Sequence, residues 1–147
     1  MGMTASKTQS NKLPAGGAQS HMAFIVPREL EQRADDMWAT HAEWMKKTHA
    51  KGGENACLFY HVCKGMEVET FIDGPKAKPT GNVVYTIVEF YANPAGLNQH
   101  FEMFHAGNWP GTAEFNKLMD TGKCKFHGHG YGQTLHSVAP DEFEVEQ

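Results

Sequence analysis

The densest group of residues able to do chemistry is the run HGHGYG at positions 127–132. In a strand, alternation places His127, His129 and Tyr131 on one face and the three glycines on the other. Two imidazoles at i and i+2 can bind a metal ion together or orient an oxygenated substrate. Glycines weaken a strand, so three of them indicate that a ligand, a helix or a second backbone comes close. Close packing at a subunit interface, with solvent-facing histidines, explains the same run.

His41 is a candidate general base within a long predicted helix at about residues 28–50. On a helical wheel it falls near the centre of an apolar stripe, close to Trp38 and Trp44. Burial lowers the pKa of an imidazole and keeps it neutral, the form that accepts a proton or binds a metal ion. The alternative is a core histidine bonded to a carbonyl or to Tyr85.

A further histidine, His61, shares one face of the second predicted strand with Cys57 and Cys63. A cysteine and a histidine at i and i+2 can bind a metal ion, but buried cysteines also serve as inert apolar side chains. The pattern does not determine which face of this strand meets the helices. The role of His61 therefore stays open.

The second predicted helix carries His100 and His105 at the two edges of its apolar stripe. For His100 we expect a structural role. His105 lies just before a Gly-Asn-Trp-Pro break, and such breaks often form the rim of a pocket. Trp109, within this break, and Trp44, on the first helix, are therefore predicted walls of a substrate cavity.

Strands and helices must hold these side chains in place. The predicted strands lie at about residues 21–26, 56–64, 83–90 and 123–137, and the predicted helices lie at about 28–50, from Pro94 onward and at 112–121. The third strand is rich in β-branched and aromatic residues, which favour a pleated, buried surface. Asn93 suits the N-cap of the helix that follows, and Pro94 suits its first position.

The resulting order, β-α-β-β-α-α-β, is typical of a split β-α-β fold, with both main helices on one face of the sheet. We therefore predict an α+β, ferredoxin-like domain with a four-stranded antiparallel sheet. Apolar side chains populate both faces of the third strand, so the uncovered face needs a partner. A second subunit can cover it by packing sheet on sheet, which predicts a homodimer.

The third strand and second helix resemble those of the antibiotic biosynthesis monooxygenase-like (ABM) domain, a ferredoxin-like family of dimeric α+β barrels. The positions that carry the resemblance are Glu89, Phe90, Tyr91, Asn93, Leu97, His100 and Phe101, together with the upstream run ENACLFYHV. The resemblance covers roughly residues 22–137. In this family Glu89 and Tyr91 are expected to make subunit or turn contacts. No histidine aligns with the axial ligand of the haem-degrading relatives.

The resemblance implies a cofactor-independent monooxygenase that acts on a hydrophobic aromatic or polyketide-like molecule. Such enzymes deprotonate an electron-rich phenol or anthrone, and the carbanion then reduces O2. This chemistry needs a base and donors for the developing oxyanion. The predicted catalytic residues are His41, as the base, and Tyr131. The predicted substrate-binding residues are Trp44, His105, Trp109, His127 and His129.

Three alternatives stay open. Cyclisation or isomerisation would need the same groups as oxygenation. A non-catalytic protein could bind a small molecule or a metal ion in the same fold. No cofactor is predicted, although a metal ion held by His127 and His129 is compatible with their spacing.

Composition narrows the class of protein. The 147 residues carry a net charge of −4 and suit one domain, without a basic surface for nucleic acid. No apolar run approaches the ~20 residues of a membrane span, and three cysteines without a disulfide pattern favour the cytoplasm. Rossmann, P-loop, nucleophile-elbow and HExxH motifs are missing. We predict a flexible N-terminal tail at 1–20, the domain at 21–138 and an acidic tail at 139–147.

Overall fold

Four antiparallel strands form the sheet that positions the candidate site. The computed structural model describes residues 16–133, without the side chains of residues 129–131 and 133. The strands are β1 (Ala18–Pro27), β2 (Cys57–Val68), β3 (Pro79–Tyr91) and β4 (Lys125–Gln133), in the spatial order β2-β3-β1-β4. The predicted α+β class and the four-stranded antiparallel sheet are confirmed.

Three α-helices connect the strands. They are α1 (Glu31–Thr48), α2 (Pro94–His105) and α3 (Thr112–Asp120), and short 3-10 turns occupy Arg28–Leu30 and Phe71–Lys76. None of the described helices is both long enough and apolar enough to cross a bilayer. Helix α1 is shorter at both ends than the predicted range 28–50. A 3-10 turn precedes it, and the backbone becomes extended at His49.

Alternation along β3 separates a helix-facing side from an outer side. The buried, helix-facing residues of β3 are Val83, Tyr85, Ile87, Glu89 and Tyr91. On α1 the buried residues are Ala34, Met37, Trp38, His41, Trp44 and Met45, which confirms the predicted apolar stripe. The apolar residues of these sets pack together in the main core with Phe24 and Val26 of β1, except Tyr91, which belongs to a second cluster with Ala18 and Leu97.

The start of α2 follows the local sequence signals. Asn93 caps the helix by accepting a hydrogen bond from the Gly96 N–H at 3.0 Å, and Pro94 is the first helical residue. The Asn93 amide also donates to the Glu54 carbonyl at 2.6 Å, which ties α2 to the loop before β2. Both the predicted cap and the predicted start are confirmed.

The first strand begins earlier than expected. Ala18 and Ser20, assigned above to the flexible tail, belong to β1 and pair with Tyr91 and Glu89 of β3. Both residues are buried. The polar sequence around Gln19 has no strand signal of its own, so the pairing with the long β3 extends the strand. Residues 1–15 and the predicted acidic tail lie outside the described residues.

Candidate active site

An apolar cavity of about 200 Å³ lies between the helices and the β1–β4 side of the sheet. Its walls are mainly aromatic and come from all three helices, the loop after α2 and two strands. The lining residues are Met22, Trp38, His41, His100, Phe101, Phe104, Trp109, Phe115 and Phe126. Two imidazoles are the titratable groups in this wall, and both have polar partners behind the cavity.

His41 reaches the cavity from the buried stripe of α1. Its Nδ1 atom lies 2.8 Å from the Tyr60 hydroxyl of β2, which leaves Nε2 for a substrate or an ion. The ring of Trp109 contacts it edge to face, with 4.9 Å between the ring centroids. Burial, with a smaller contribution from the charge of His49, lowers the pKa of His41 to about 3. The predicted burial and neutral state of His41 are confirmed, but its partner is Tyr60 and not Tyr85.

His100 reaches the same wall from α2 and is 3% exposed. Its Nδ1 atom lies 3.0 Å from Nε2 of His49, at the end of α1. Burial first, and then the charges of His41 and His49, lower the pKa of His100 to about 3. His100 is therefore part of the site, beyond the structural role expected from its position on the helix.

Glu89 lies beside the two imidazoles and is fully buried. Its Oε2 atom accepts a hydrogen bond from the Tyr91 hydroxyl at 3.3 Å and lies 3.6 Å from Nε2 of His100. Its Oε1 atom has no hydrogen-bond partner among the described residues. Burial raises the pKa of Glu89 to about 7, against the opposing hydrogen bond from Tyr91. Glu89 and Tyr91 thus lie in the interior of the chain. The family resemblance had instead predicted subunit or turn contacts for these two residues.

Together these groups form a cluster with metal-ligand chemistry. One candidate ligand atom from each of His41, Glu89 and His100 lies within 4.8 Å of the other two. The group could hold a metal ion, and it differs from the pair His127 and His129 suggested by the sequence. Two neutral imidazoles and one carboxylate are also able to move a proton.

The predicted tryptophan walls are both near the imidazoles. Trp109 lines the cavity, stacks on Trp38 with 6.0 Å between centroids, and donates its indole N–H to Thr40 Oγ1 at 3.1 Å. Trp44 is not a lining residue but contacts the rings of His41 and His100, at 5.3 Å in each case. The structure therefore brings both tryptophans to the site.

Two predicted substrate-binding residues lie away from the cavity. His105 is exposed and contacts the ring of Phe104 on the side of α2. His127 is exposed and pairs with Ala23, whereas its neighbour Phe126 pairs with the core residue Phe24. Alternation puts Phe126 on the helix side and His127 on the outer side of β4. The structure therefore does not bring the predicted substrate-binding residue His127 together with His41. The side chains of His129 and Tyr131 lie outside the described residues.

Of the remaining candidates of β2, His61 and Cys63 lie on the outer side, whereas Cys57 is separated from them by a register shift and packs against the core. His61 and Cys63 are exposed, and Cys57 is half-buried with its thiol pKa raised to about 11 by burial and by the charge of Glu89. The functional residues not assigned from sequence are His49, Tyr60 and Glu89. The sequence signal for Glu89 was its place within the apolar run VVYTIVEFY. A carboxylate that is buried with such a run needs polar partners, so this acid indicated a polar site.

No protein-family model matches the chain, and a comparison with the curated proteins finds no match. Among solved structures, the chain is similar to a protein from Burkholderia cenocepacia that is named as a proposed amidohydrolase/peptidase. The two share 14% sequence identity with a TM-score of 0.40. The match covers 82% of this chain and 29% of that chain. A likeness at this level has no bearing on the activity of this chain.

Proposed function

We propose that the protein is a small enzyme that binds a hydrophobic, aromatic or polyketide-like molecule in the aromatic cavity and acts on it as a monooxygenase. One observation carries the proposal: two neutral imidazoles, of His41 and His100, lie in the wall of an otherwise apolar cavity. An apolar cavity with a few convergent polar groups and shifted pKa values is the usual form of a small-molecule site.

The size of the cavity limits what it holds. A closed cavity of about 150 Å³ is large enough for benzene, and this one measures about 200 Å³. One ring of the substrate would occupy it. The rest of a larger molecule would extend past Phe126, which is 37% exposed at the edge of the cavity.

The chemistry follows from the free Nε2 of His41. This atom would accept a proton from a phenol-like or anthrone-like substrate, whose anion is electron-rich enough to reduce O2. In the case of an anthrone, a CH2 group becomes a carbonyl, and the second oxygen atom leaves as water with both hydrogens. The buried Glu89 carboxylate, within 4.8 Å of His41, would stabilise the imidazolium form.

The wider assignment is to a ferredoxin-like, ABM-type homodimer. It is supported by the element order and by the sheet order β2-β3-β1-β4, which places β1 and β2 parallel on either side of β3. The outer face of the sheet also carries apolar rings, including Phe59, which is 46% exposed, and the half-buried Phe90. A second copy packed on this face would remove them from water. Light scattering on the purified protein tests the dimer.

The test of the activity is O2 consumption with an anthrone and with a naphthol as substrates. We expect turnover by the wild-type protein and at least a 100-fold loss in His41→Asn, in line with the usual contribution of a general base. Binding, followed by tryptophan fluorescence, should change little in this variant. His105→Ala, on the exposed side of α2, is the control and should keep full turnover. Equal turnover by His41→Asn and wild type would contradict the proposal.

A second candidate is a binding protein of the same fold that holds an aromatic molecule without turnover. The low pKa of His41, about 3, favours it, since such an imidazole is a weak proton acceptor. Binding of both probes with no O2 consumption would support this function. If the protein only binds its ligand, His41→Asn should lower its stability or its affinity for the probes, and neither protein should turn them over.

A further inference from the structure

The cluster of His41, Glu89 and His100 joins three elements at one point. His41 comes from α1, Glu89 from β3 and His100 from α2, and their exposed fractions are 3%, 0% and 3%. Ligand atoms on one transition-metal ion lie about 2.1 Å from it and so roughly 3 Å from each other. His100 Nε2 and Glu89 Oε2, at 3.6 Å, are close to this spacing. Small side-chain rotations would bring the full set, now within 4.8 Å, to it.

Unpartnered oxygens mark the same place. Within the part of the chain that the structure describes, Glu89 Oε1 is buried and has no hydrogen bond. The same is true of Oγ of Ser20, the residue paired with Glu89 across β1 and β3. A buried polar atom without a partner destabilises the fold, because it has lost its hydrogen bonds to water. Two such atoms on neighbouring strand positions indicate that a polar ligand belongs between the sheet and the imidazoles.

The Nδ1 atom of each imidazole already has a hydrogen-bond partner. Tyr60 bonds Nδ1 of His41 at 2.8 Å, and His49 bonds Nδ1 of His100 at 3.0 Å. In metal sites the second ring nitrogen of a ligating histidine has just such a partner, which fixes the tautomer and the ring orientation. When the Nδ1–H group of each ring donates to this partner, the Nε2 lone pair is available for an ion.

We propose that His41, Glu89 and His100 bind one divalent transition-metal ion at the wall of the aromatic cavity. Two imidazoles and one carboxylate form the ligand set of catalytic zinc sites and of non-haem iron(II) sites. Calcium and magnesium prefer oxygen ligands and do not suit this set. Because His41 and His100 both line the cavity, the free coordination positions of the ion face the space where a substrate ring would lie.

This inference rests on the proposed function, which supplies the ligand of the cavity. It differs in the group that acts on this ligand, which is the metal ion and not the imidazole of His41. The ion would occupy the lone pair of His41 and act as the Lewis acid that stabilises a substrate anion, as bound cations do for oxygen ligands, and a water molecule would take the proton from the substrate. A site with three protein ligands leaves room for water or for a substrate oxygen. The low basicity of His41 is then no obstacle to the chemistry.

The test uses Co²⁺ and Zn²⁺ with untagged protein stripped of metal by a chelator. We expect one Co²⁺ per chain with visible absorption bands, and displacement of Co²⁺ by Zn²⁺. Glu89→Gln, nearly the same shape as the wild type, should lower the affinity by more than about tenfold, the least that loss of even a supporting residue costs. Glu102→Gln, on the exposed side of α2, is the matched control and should keep the affinity.

Two more variants settle the remaining outcomes. If Glu89→Gln fails to fold, His100→Asn serves in its place, with the same expected loss of affinity. His127→Ala with His129→Ala should bind Co²⁺ like the wild type, and loss of the ion in that double variant would overturn the proposal. Absence of stoichiometric Co²⁺ binding by the wild type would overturn it as well. Naphthol binding by the metal-free protein tests the cavity separately, so failure of the metal site and failure of the proposed function are distinguishable.

Discussion

The Nδ1 atom of His41 and the hydroxyl of Tyr60 lie 2.8 Å apart and join the middle of α1 to the edge strand β2. Their rings are 5.4 Å apart between centroids. Burial, with smaller contributions from the charges of Glu89 and Cys57, raises the pKa of Tyr60, so the phenol keeps its proton. A neutral phenol facing a neutral imidazole fixes the orientation of the His41 ring. The Nε2 atom of His41 can then be presented to the cavity in one position.

Replacing Tyr60 by phenylalanine tests this relationship. The change leaves Nδ1 of His41 buried and unpaired, so the free energy of unfolding should fall by about 1 to 3 kcal/mol. Urea denaturation measures it. If His41 is a metal ligand, Co²⁺ affinity should also fall about 10- to 100-fold. His61→Ala, a neighbouring exposed position of β2, should change neither value. Unchanged stability and unchanged Co²⁺ affinity in Tyr60→Phe would show that the bond does not position His41.

Acid should destabilise the metal-free protein through its buried histidines. His41 and His100 have folded pKa values of about 3, below the ordinary pKa of 6.5 for histidine, so the unfolded chain binds more protons between these limits. Stability is therefore complete above pH 6.5 and is lost as the pH falls toward 3, at up to about 1.4 kcal/mol per pH unit for each histidine. Urea denaturation at a series of pH values measures this slope. His100→Asn should reduce it, and an unchanged slope would contradict the burial of a neutral His100.

Glu89 should act with the opposite sign. Its folded pKa is about 7, above the ordinary pKa of 4.5 for glutamate, so the folded chain binds more protons between pH 4.5 and 7. The contribution of Glu89 to stability is present below pH 4.5 and is lost as the pH rises to about 7. Glu89→Gln removes this loss, so its stability relative to wild type should rise across the window, by up to about 3 kcal/mol. Urea denaturation of both proteins at a series of pH values measures this difference, and a difference that does not change with pH would contradict the burial of Glu89.

Much of the fold is encoded in local signals. The Asn93–Pro94 pair predicted the start of α2, because a cap and a missing N–H act within a single turn. The stripe around His41 predicted which side of α1 is buried. The early start of β1 at Ala18 could not be read in this way, since its pairing with Tyr91 joins residues that are distant in sequence.

The candidate site was less accessible to sequence reasoning. Strand β3 is apolar on both faces, so alternation alone does not say whether Glu89 points to the helices or outward. The neighbours of Glu89 depend on the packing of α1 and α2, which brings His41 and His100 together across a long stretch of chain. In β4, alternation places His127 and Phe126 on opposite faces, but it does not say which face meets the helices. The histidines of HGHGYG were therefore predicted to bind substrate, although the cavity is lined by Phe126.

Phe126 should control access to the cavity. Its ring lines the cavity, contacts Phe24 and Phe115, and is 37% exposed. Phe126→Ala should weaken binding of a naphthol by about tenfold, which corresponds to about 1.4 kcal/mol and lies within the range of one aromatic contact. Tryptophan fluorescence titration measures the affinity. Phe71→Ala, whose ring is 90% exposed, is the control and should bind like the wild type. Equal affinity in both variants would place the aromatic ligand elsewhere.

Gly128 should be required for the fit of β4 against β1. A Cβ atom at this position would lie 2.5 Å from the His21 carbonyl oxygen and 3.0 Å from Cα of Met22, so the backbone itself would have to move. Gly128→Ala should therefore lower the free energy of unfolding by roughly 1 to 3 kcal/mol. The affinity for a naphthol should fall too, because Met22 lines the cavity.

Gly65→Ala is the matched control for Gly128→Ala. Gly65 also lies in a strand, and a Cβ atom there would meet no heavy atom within 4 Å. This substitution should be neutral or stabilising by about 0.5 kcal/mol, because alanine restricts the unfolded chain. Both variants lose the same flexibility in the unfolded state, so the difference between them isolates the contact with β1. If Gly128→Ala were as stable as Gly65→Ala, the close approach of β4 to His21 would be wrong, and with it the placement of Phe126 in the cavity wall.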